Sequence, residues 1–101
     1  MITQKRLFRK RFFILEGVGR LKVKKSLYER RQAAFAELLK GARREAGLTQ
    51  VELAKKLRRP RSYVSKYERG ERRLDVIEFL EIARVIGFDP HELLTQLEST
   101  S

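Results

Sequence analysis

The 101-residue chain has no cysteine and no tryptophan, and only one methionine, one histidine and two prolines. Without cysteine there is no disulfide framework and no thiolate metal site. The single imidazole, His91, stands in the last amphipathic segment with no metal-ligand spacing around it, and no serine has a histidine base placed to activate it. Gly17-Val18-Gly19 is not a phosphate loop, because no strand leads in and no third glycine follows. The chain is therefore expected not to be an enzyme and to use no cofactor and no metal. A membrane span would need ~18 apolar residues. The apolar run Phe12-Phe13-Ile14-Leu15 near the basic start falls far short of that, and of a signal-peptide core. A cytoplasmic protein without a membrane role is the expectation. No stretch alternates at period two, so no sheet is expected.

Positive charge is abundant. Lys and Arg number 24 against 13 Asp and Glu, for a formal net charge of +11 and a pI near 10.6. Such a field attracts polyanions. Its distribution is uneven: residues 1–31 and 55–73 are strongly basic, whereas residues 74–101 hold Arg84 against six carboxylates. A merely solvated surface would not need its charge to coincide with a structural motif, as it does over residues 55–73.

Helix-start signals recur along the chain. Ser26-Leu27-Tyr28-Glu29 and Thr49-Gln50-Val51-Glu52 have the form of capping boxes. Asp75-Val76-Ile77-Glu78 and Asp89-Pro90-His91-Glu92 repeat it with Asp as the cap, the second with proline at the first helical position. Gly47, Gly70 and Gly87 each follow a periodic segment, where a left-handed terminus favours glycine. These marks predict helices over 27–46, 50–57, 61–69, 76–86 and 90–98, an all-α bundle with short connections. The core stripes are read as Phe35, Leu38, Leu39 and Ala42; Leu53, Ala54 and Leu57; Val64 and Tyr67; Val76, Phe79, Leu80, Ala83 and Ile86; and Leu93, Leu94 and Leu97. A length of 101 residues allows one domain. It is divided here into a basic arm over 1–25, the helical domain over 26–98 and a short tail over 99–101. Residues 1–22 lack a cap and a clear period. They are read either as a flexible tail or as lying upstream of a natural start near Val23 or Lys24.

Residues 47–70, GLTQVELAKKLRRPRSYVSKYERG, hold two short amphipathic segments joined by a few residues, the outline of a helix-turn-helix. In the second segment Arg61, Ser62, Ser65 and Lys66 share one face, opposite Val64 and Tyr67. Short or forked polar groups on such a face are what base edges in a major groove require. Gln50, at a helix start, and Arg58, Arg59, Arg69, Arg72 and Arg73, in the turn and the following loop, are expected to grip phosphates.

Residues 39–97 resemble the XRE family, the Cro and lambda-repressor type of helix-turn-helix domain. The matching residues are Gly47-Leu48-Thr49-Gln50, Leu53-Ala54-Lys55-Lys56-Leu57, Val64-Ser65-Lys66-Tyr67-Glu68-Arg69-Gly70, Leu80-Glu81-Ile82-Ala83 with Ile86-Gly87, and Asp89-Pro90 with Leu93-Leu94. The resemblance implies a compact five-helix lambda-repressor-like bundle that binds double-stranded operator DNA as a homodimer. It implies a transcriptional regulator acting as a repressor, bacterial or phage-encoded and nucleoid-associated. Carried over by position, Gln50 binds phosphate, Arg61, Ser62 and Lys66 reach bases with Ser65 nearby, and Arg69 touches the DNA backbone. Arg43 and Glu68 would form a structural ion pair tying two helices together. Two positions depart from the family. Arg58 stands where glycine is usual, at a cost of about 1 kcal/mol if the left-handed turn is kept. Pro60 stands where a Ser or Thr cap is usual and supplies no capping oxygen. Two other readings compete: an antitoxin-like or anti-repressor module whose acidic 74–101 region grips a toxin or regulator, and general nucleic-acid binding, RNA included, through the arm.

Overall fold

The computed structural model describes residues 26–100, so the expected arm over 1–25 lies outside the described residues. Five helices follow in order: α1 (Leu27–Glu45), α2 (Gln50–Leu57), α3 (Arg61–Glu68), α4 (Val76–Ile86) and α5 (Pro90–Glu98). There is no strand among the described residues. Each predicted helix is present, with ends displaced by no more than one residue. Ala46 and Arg69 serve as C-caps rather than as the last helical residues.

The caps account for the starts. Ser26 Oγ accepts the Glu29 N–H while the Glu29 carboxylate accepts the Ser26 N–H, both at 3.1 Å. Thr49 with Glu52 and Asp75 with Glu78 make the same reciprocal pair. Each pair satisfies two amides that the helix itself leaves without partners. Asp89 differs: with Pro90 at the first helical position, its carboxylate accepts the His91 N–H at 2.9 Å. At the far end of α3, Gly70 takes φ +76°, and the Glu71 N–H reaches back to the Lys66 carbonyl at 2.8 Å. A side chain would be strained in that left-handed turn.

The core joins all five helices. Leu39 of α1, Leu53 and Leu57 of α2, Val64 and Tyr67 of α3, Phe79 and Ile82 of α4, and Leu93 of α5 are buried together. Phe79 lies between Phe35 and Phe88, with ring centroids at 5.4 and 6.0 Å. Burying each such side chain stabilises the fold by about 1.5–3 kcal/mol. α2 packs on α3 and α4, and α1 packs on α3 and α5, so the helix-turn-helix is braced from both sides.

Three readings of the sequence are corrected by the packing. The stripe expected on α4 included Val76 and Leu80, but these are 70% and 46% exposed, and the buried set is Phe79, Ile82 and Ala83. α4 is apolar around most of its circumference, so periodicity alone leaves its rotation open; contact with α2 fixes it. Leu94 is likewise exposed while Leu93 next to it is buried. The tail expected from residue 99 is held as far as Thr100, which is buried and whose carbonyl accepts the Arg31 Nε–H at 3.4 Å.

Candidate nucleic-acid interface

The turn between α2 and α3 keeps a glycine-like backbone without glycine. Arg58 caps α2 at φ 58°, ψ 43°, and is the only non-glycine residue at positive φ among the described residues. An L-residue there costs about 1–2 kcal/mol. The turn holds because the Arg58 and Arg59 amides bond back to the Lys55 and Ala54 carbonyls, each at 3.0 Å. Pro60 follows at φ −63°, ψ 152°, with no side-chain capping bond. Its ring fixes φ, so the chain enters α3 in the extended conformation a cap requires.

α3 has two unlike sides. Tyr63, Val64, Tyr67 and Glu68 are buried, whereas Arg61, Ser62 and Lys66 are exposed. Ser65 is half-buried, and its hydroxyl donates to the Ser62 carbonyl at 3.3 Å. Arg61, Ser62, Ser65 and Lys66 thus stand on the side expected of them, with Ser65 at its inner edge.

Glu68, on the inner side, joins three segments. Arg43 Nε and Nη2 donate to its two oxygens at 2.7 and 3.0 Å. Arg43 Nη1 donates to the Leu48 carbonyl at 2.7 Å, and Gln50 Nε2 to Glu68 Oε1 at 3.0 Å. The bond to Glu68 raises the Arg43 guanidinium pKa against the opposing effect of burial. The Arg43–Glu68 pair named from the sequence is therefore a forked, buried contact. The Gln50 link was not foreseen: it aims the Gln50 amide nitrogen and leaves its second N–H available.

The five arginines of the turn and loop divide into two kinds. Arg59 and Arg72 both lie over the Tyr63 ring, their guanidinium carbons 4.6 and 4.7 Å from its centroid. Glu78 accepts from Arg72 at 2.9 and 3.1 Å and lies 3.8 Å from Arg59, with Glu81 at 3.9 Å from Arg59. The hydrogen bond from Arg72 holds the Glu78 carboxyl below its ordinary range. Arg69 is paired with Glu71 at 3.0 and 3.2 Å, which lowers the Glu71 pKa in the same way. Arg73 instead stands 5.3 Å over the Tyr28 ring of α1. Among the described residues, no carboxylate pairs with Arg58, Arg61, Lys66 or Arg73. Tyr63 and Glu78 were missed as parts of the site. The only hint was the Arg59–Tyr63 spacing of four, since Glu78 is legible from sequence as a cap alone.

Among the described residues no cluster of His, Asp or Glu could hold a metal ion, and no helix is long and apolar enough to cross a membrane.

Residues 34–96 match the family model described as a helix-turn-helix domain. Over 58 residues the chain is 40% identical to an uncharacterized HTH-type transcriptional regulator, y4dJ, of Sinorhizobium fredii, covering 57% of this chain and 75% of that protein. An XRE-family like protein from Pseudomonas syringae pv. tomato superposes with a TM-score of 0.71 at 51% identity, over 78% of this chain and 96% of that one. The restriction-modification controller protein C.AhdI from Aeromonas hydrophila superposes with a TM-score of 0.57 at 34% identity, over 61% and 94%.

Proposed function

Because the chain belongs to the XRE family of helix-turn-helix DNA-binding transcription regulators, we propose that it acts as a repressor, binding a palindromic operator as a homodimer. The observation that carries this reading is the outward side of α3: Arg61, Ser62 and Lys66 are exposed, Arg61 and Lys66 pair with no carboxylate among the described residues, and the helix is anchored by Tyr63, Val64 and Tyr67 beneath. Arg61 forks onto guanine, Ser62 and Lys66 read neighbouring edges, and Ser65 contributes at the margin. Gln50, aimed by Glu68, donates to a phosphate. Arg58 and Arg73 add sequence-independent grip. Arg59, Arg69 and Arg72, already held by carboxylates, chiefly shape the turn and loop and touch phosphate with their remaining edges. No side chain is assigned a chemical step, and the protein works in the cytoplasm on the nucleoid.

Selection of bound sites from a random duplex library would give the operator. Against single-base variants of it, Arg61→Ala is expected to lose about 1–3 kcal/mol of discrimination at one base step. Gln50→Ala is expected to weaken every variant alike. Equal losses from both substitutions across the set would refute these roles. A reporter whose promoter overlaps the operator tests the sign of regulation: repression requires that expression fall when the protein is supplied.

A further inference from the structure

Two arginines beside α3 are open to solvent and already engaged. The side chains of Arg59, in the turn ahead of α3, and Arg72, in the loop that follows it, are each 37% exposed. Both lie over the Tyr63 ring, which keeps them close to α3. Arg72 forks onto the two oxygens of Glu78 at 3.1 and 2.9 Å. Arg59 lies 3.8 Å from Glu78 and 3.9 Å from Glu81. A guanidinium meets a phosphate with the same fork that it gives a carboxylate. The edge of Arg72 turned to Glu78 is therefore the edge that a bidentate phosphate contact would need.

We propose that Glu78 is an internal competitor for DNA phosphate. It withholds Arg72 and, together with Glu81, Arg59 from the duplex, and so sets the specificity of the protein without touching a base. Glu78 is fixed in this role by its own helix. Its Oε1 also accepts the Asp75 N–H at 3.0 Å, and only 15% of its side chain is exposed. A duplex phosphate that took Arg72 would leave this largely enclosed carboxylate without its partner, which costs more than the exchange returns. Arg58, Arg61, Lys66 and Arg73, which pair with no carboxylate among the described residues, meet no such obstacle. The withholding stands on this geometry alone; the specificity rests also on the operator-binding reading. On an operator the base contacts of α3 fix the register, so an arginine meets only the phosphates which that register offers. On other DNA the protein takes whichever register offers the most phosphate, so two further free arginines would strengthen random binding more than operator binding. Keeping them engaged raises the ratio between the two.

The test is a salt titration of the full-length chain on random-sequence duplex and on the operator found by selection. Glu78→Gln keeps a side chain able to cap α4, and helix content should be unchanged. On random duplex it is expected to bind more tightly than wild type, with a slope of log affinity against log salt steeper by about 0.9–1.8 per bound protomer, one to two phosphates. Its advantage should then shrink about 3- to 12-fold between about 50 and 200 mM salt. Its preference for operator over random duplex should fall. Adding Arg72→Ala to this variant should flatten the slope again by about 0.9. Glu92→Gln makes the same change of charge at an exposed residue that is in no ion pair among the described residues, and should leave the slope as in wild type. A purely structural Glu78 predicts weaker binding by Glu78→Gln. That result, a slope unchanged or matched by Glu92→Gln, or an undiminished operator preference overturns the proposal. In wild type itself, the guanidinium N–H resonances of Arg72 should move less than those of Arg58 as random duplex is added; equal movement would show that Arg72 leaves Glu78, and also overturns it. A wild type with no sequence preference refutes the operator reading, while the slopes on random duplex still decide whether Glu78 withholds the arginines.

Discussion

Glu68 is the residue on which most of the local order converges. Its carboxylate accepts from α1 through Arg43 and from the start of α2 through Gln50, while its own backbone ends α3. Arg43 and Glu68 are both more than nine-tenths buried. Glu68→Ala therefore leaves a guanidinium in the interior without its partner and is expected to cost about 3–5 kcal/mol in urea unfolding; a loss under 1 kcal/mol would mean that Arg43 finds water instead. Arg58 presents the opposite balance. Its left-handed backbone is a strain that glycine would relieve, so Arg58→Gly is expected to stabilise by about 0.5–1 kcal/mol once the greater freedom of unfolded glycine is counted. That corresponds to a melting temperature higher by about 2–8 °C. The same variant should bind DNA more weakly. A side chain kept in an unfavourable conformation, with no ion-pair partner among the described residues, makes sense where its charge is used. A lower melting temperature together with unchanged DNA binding would contradict both halves of this account.

Between α3 and α4 the loop is organised by side chains from both helices. Tyr63 supplies the ring against which Arg59 and Arg72 lie, and Glu78, one turn into α4, supplies the charge that holds them. Because the folded state lowers the Glu78 pKa, its contribution is fully present above the ordinary carboxylate value of about 4.3 and is lost as pH falls through the depressed folded value. Glu78→Gln keeps a capping side chain but removes the charge. The difference in melting temperature between wild type and this variant should be widest above the ordinary carboxylate value of about 4.3 and narrow as pH falls below it; a gap independent of pH would show that packing, not charge, holds the loop. The elements themselves were largely legible in the chain, because caps are local: Ser26 with Glu29, Thr49 with Glu52 and Asp75 with Glu78 each lie within four residues. The rotation of α4 was not legible, because an apolar residue at almost every position fits several phases. The Tyr63–Glu78 cluster and the Gln50–Glu68 bond were not legible either, since each joins residues whose proximity only the folded chain creates. The outward set on α3 was readable because anchoring residues Val64 and Tyr67 fix which side of a short helix must face away.

At the scale of the molecule, charge is sorted by region and by whether it is engaged. Residues 55–73 are strongly basic, yet Arg59, Arg69 and Arg72 are tied to carboxylates, and Arg58, Arg61, Lys66 and Arg73 have no such partner among the described residues. Counterion release links each phosphate contact to a slope of about −0.9 in log affinity against log salt. Arg58→Ala is expected to flatten that slope by about 0.9 per bound protomer, and Arg72→Ala by less. Titrations at several salt concentrations would read this directly, and equal flattening by the two would erase the distinction between held and available arginines. The division of α3 into an anchored half and an outward half has a further consequence. Arg61, Ser62 and Lys66 contribute nothing to the buried cluster, so substitutions there are uncoupled from folding. If those three side chains read the bases as proposed, rewriting three letters would readdress the scaffold to a new duplex with its interior inherited intact.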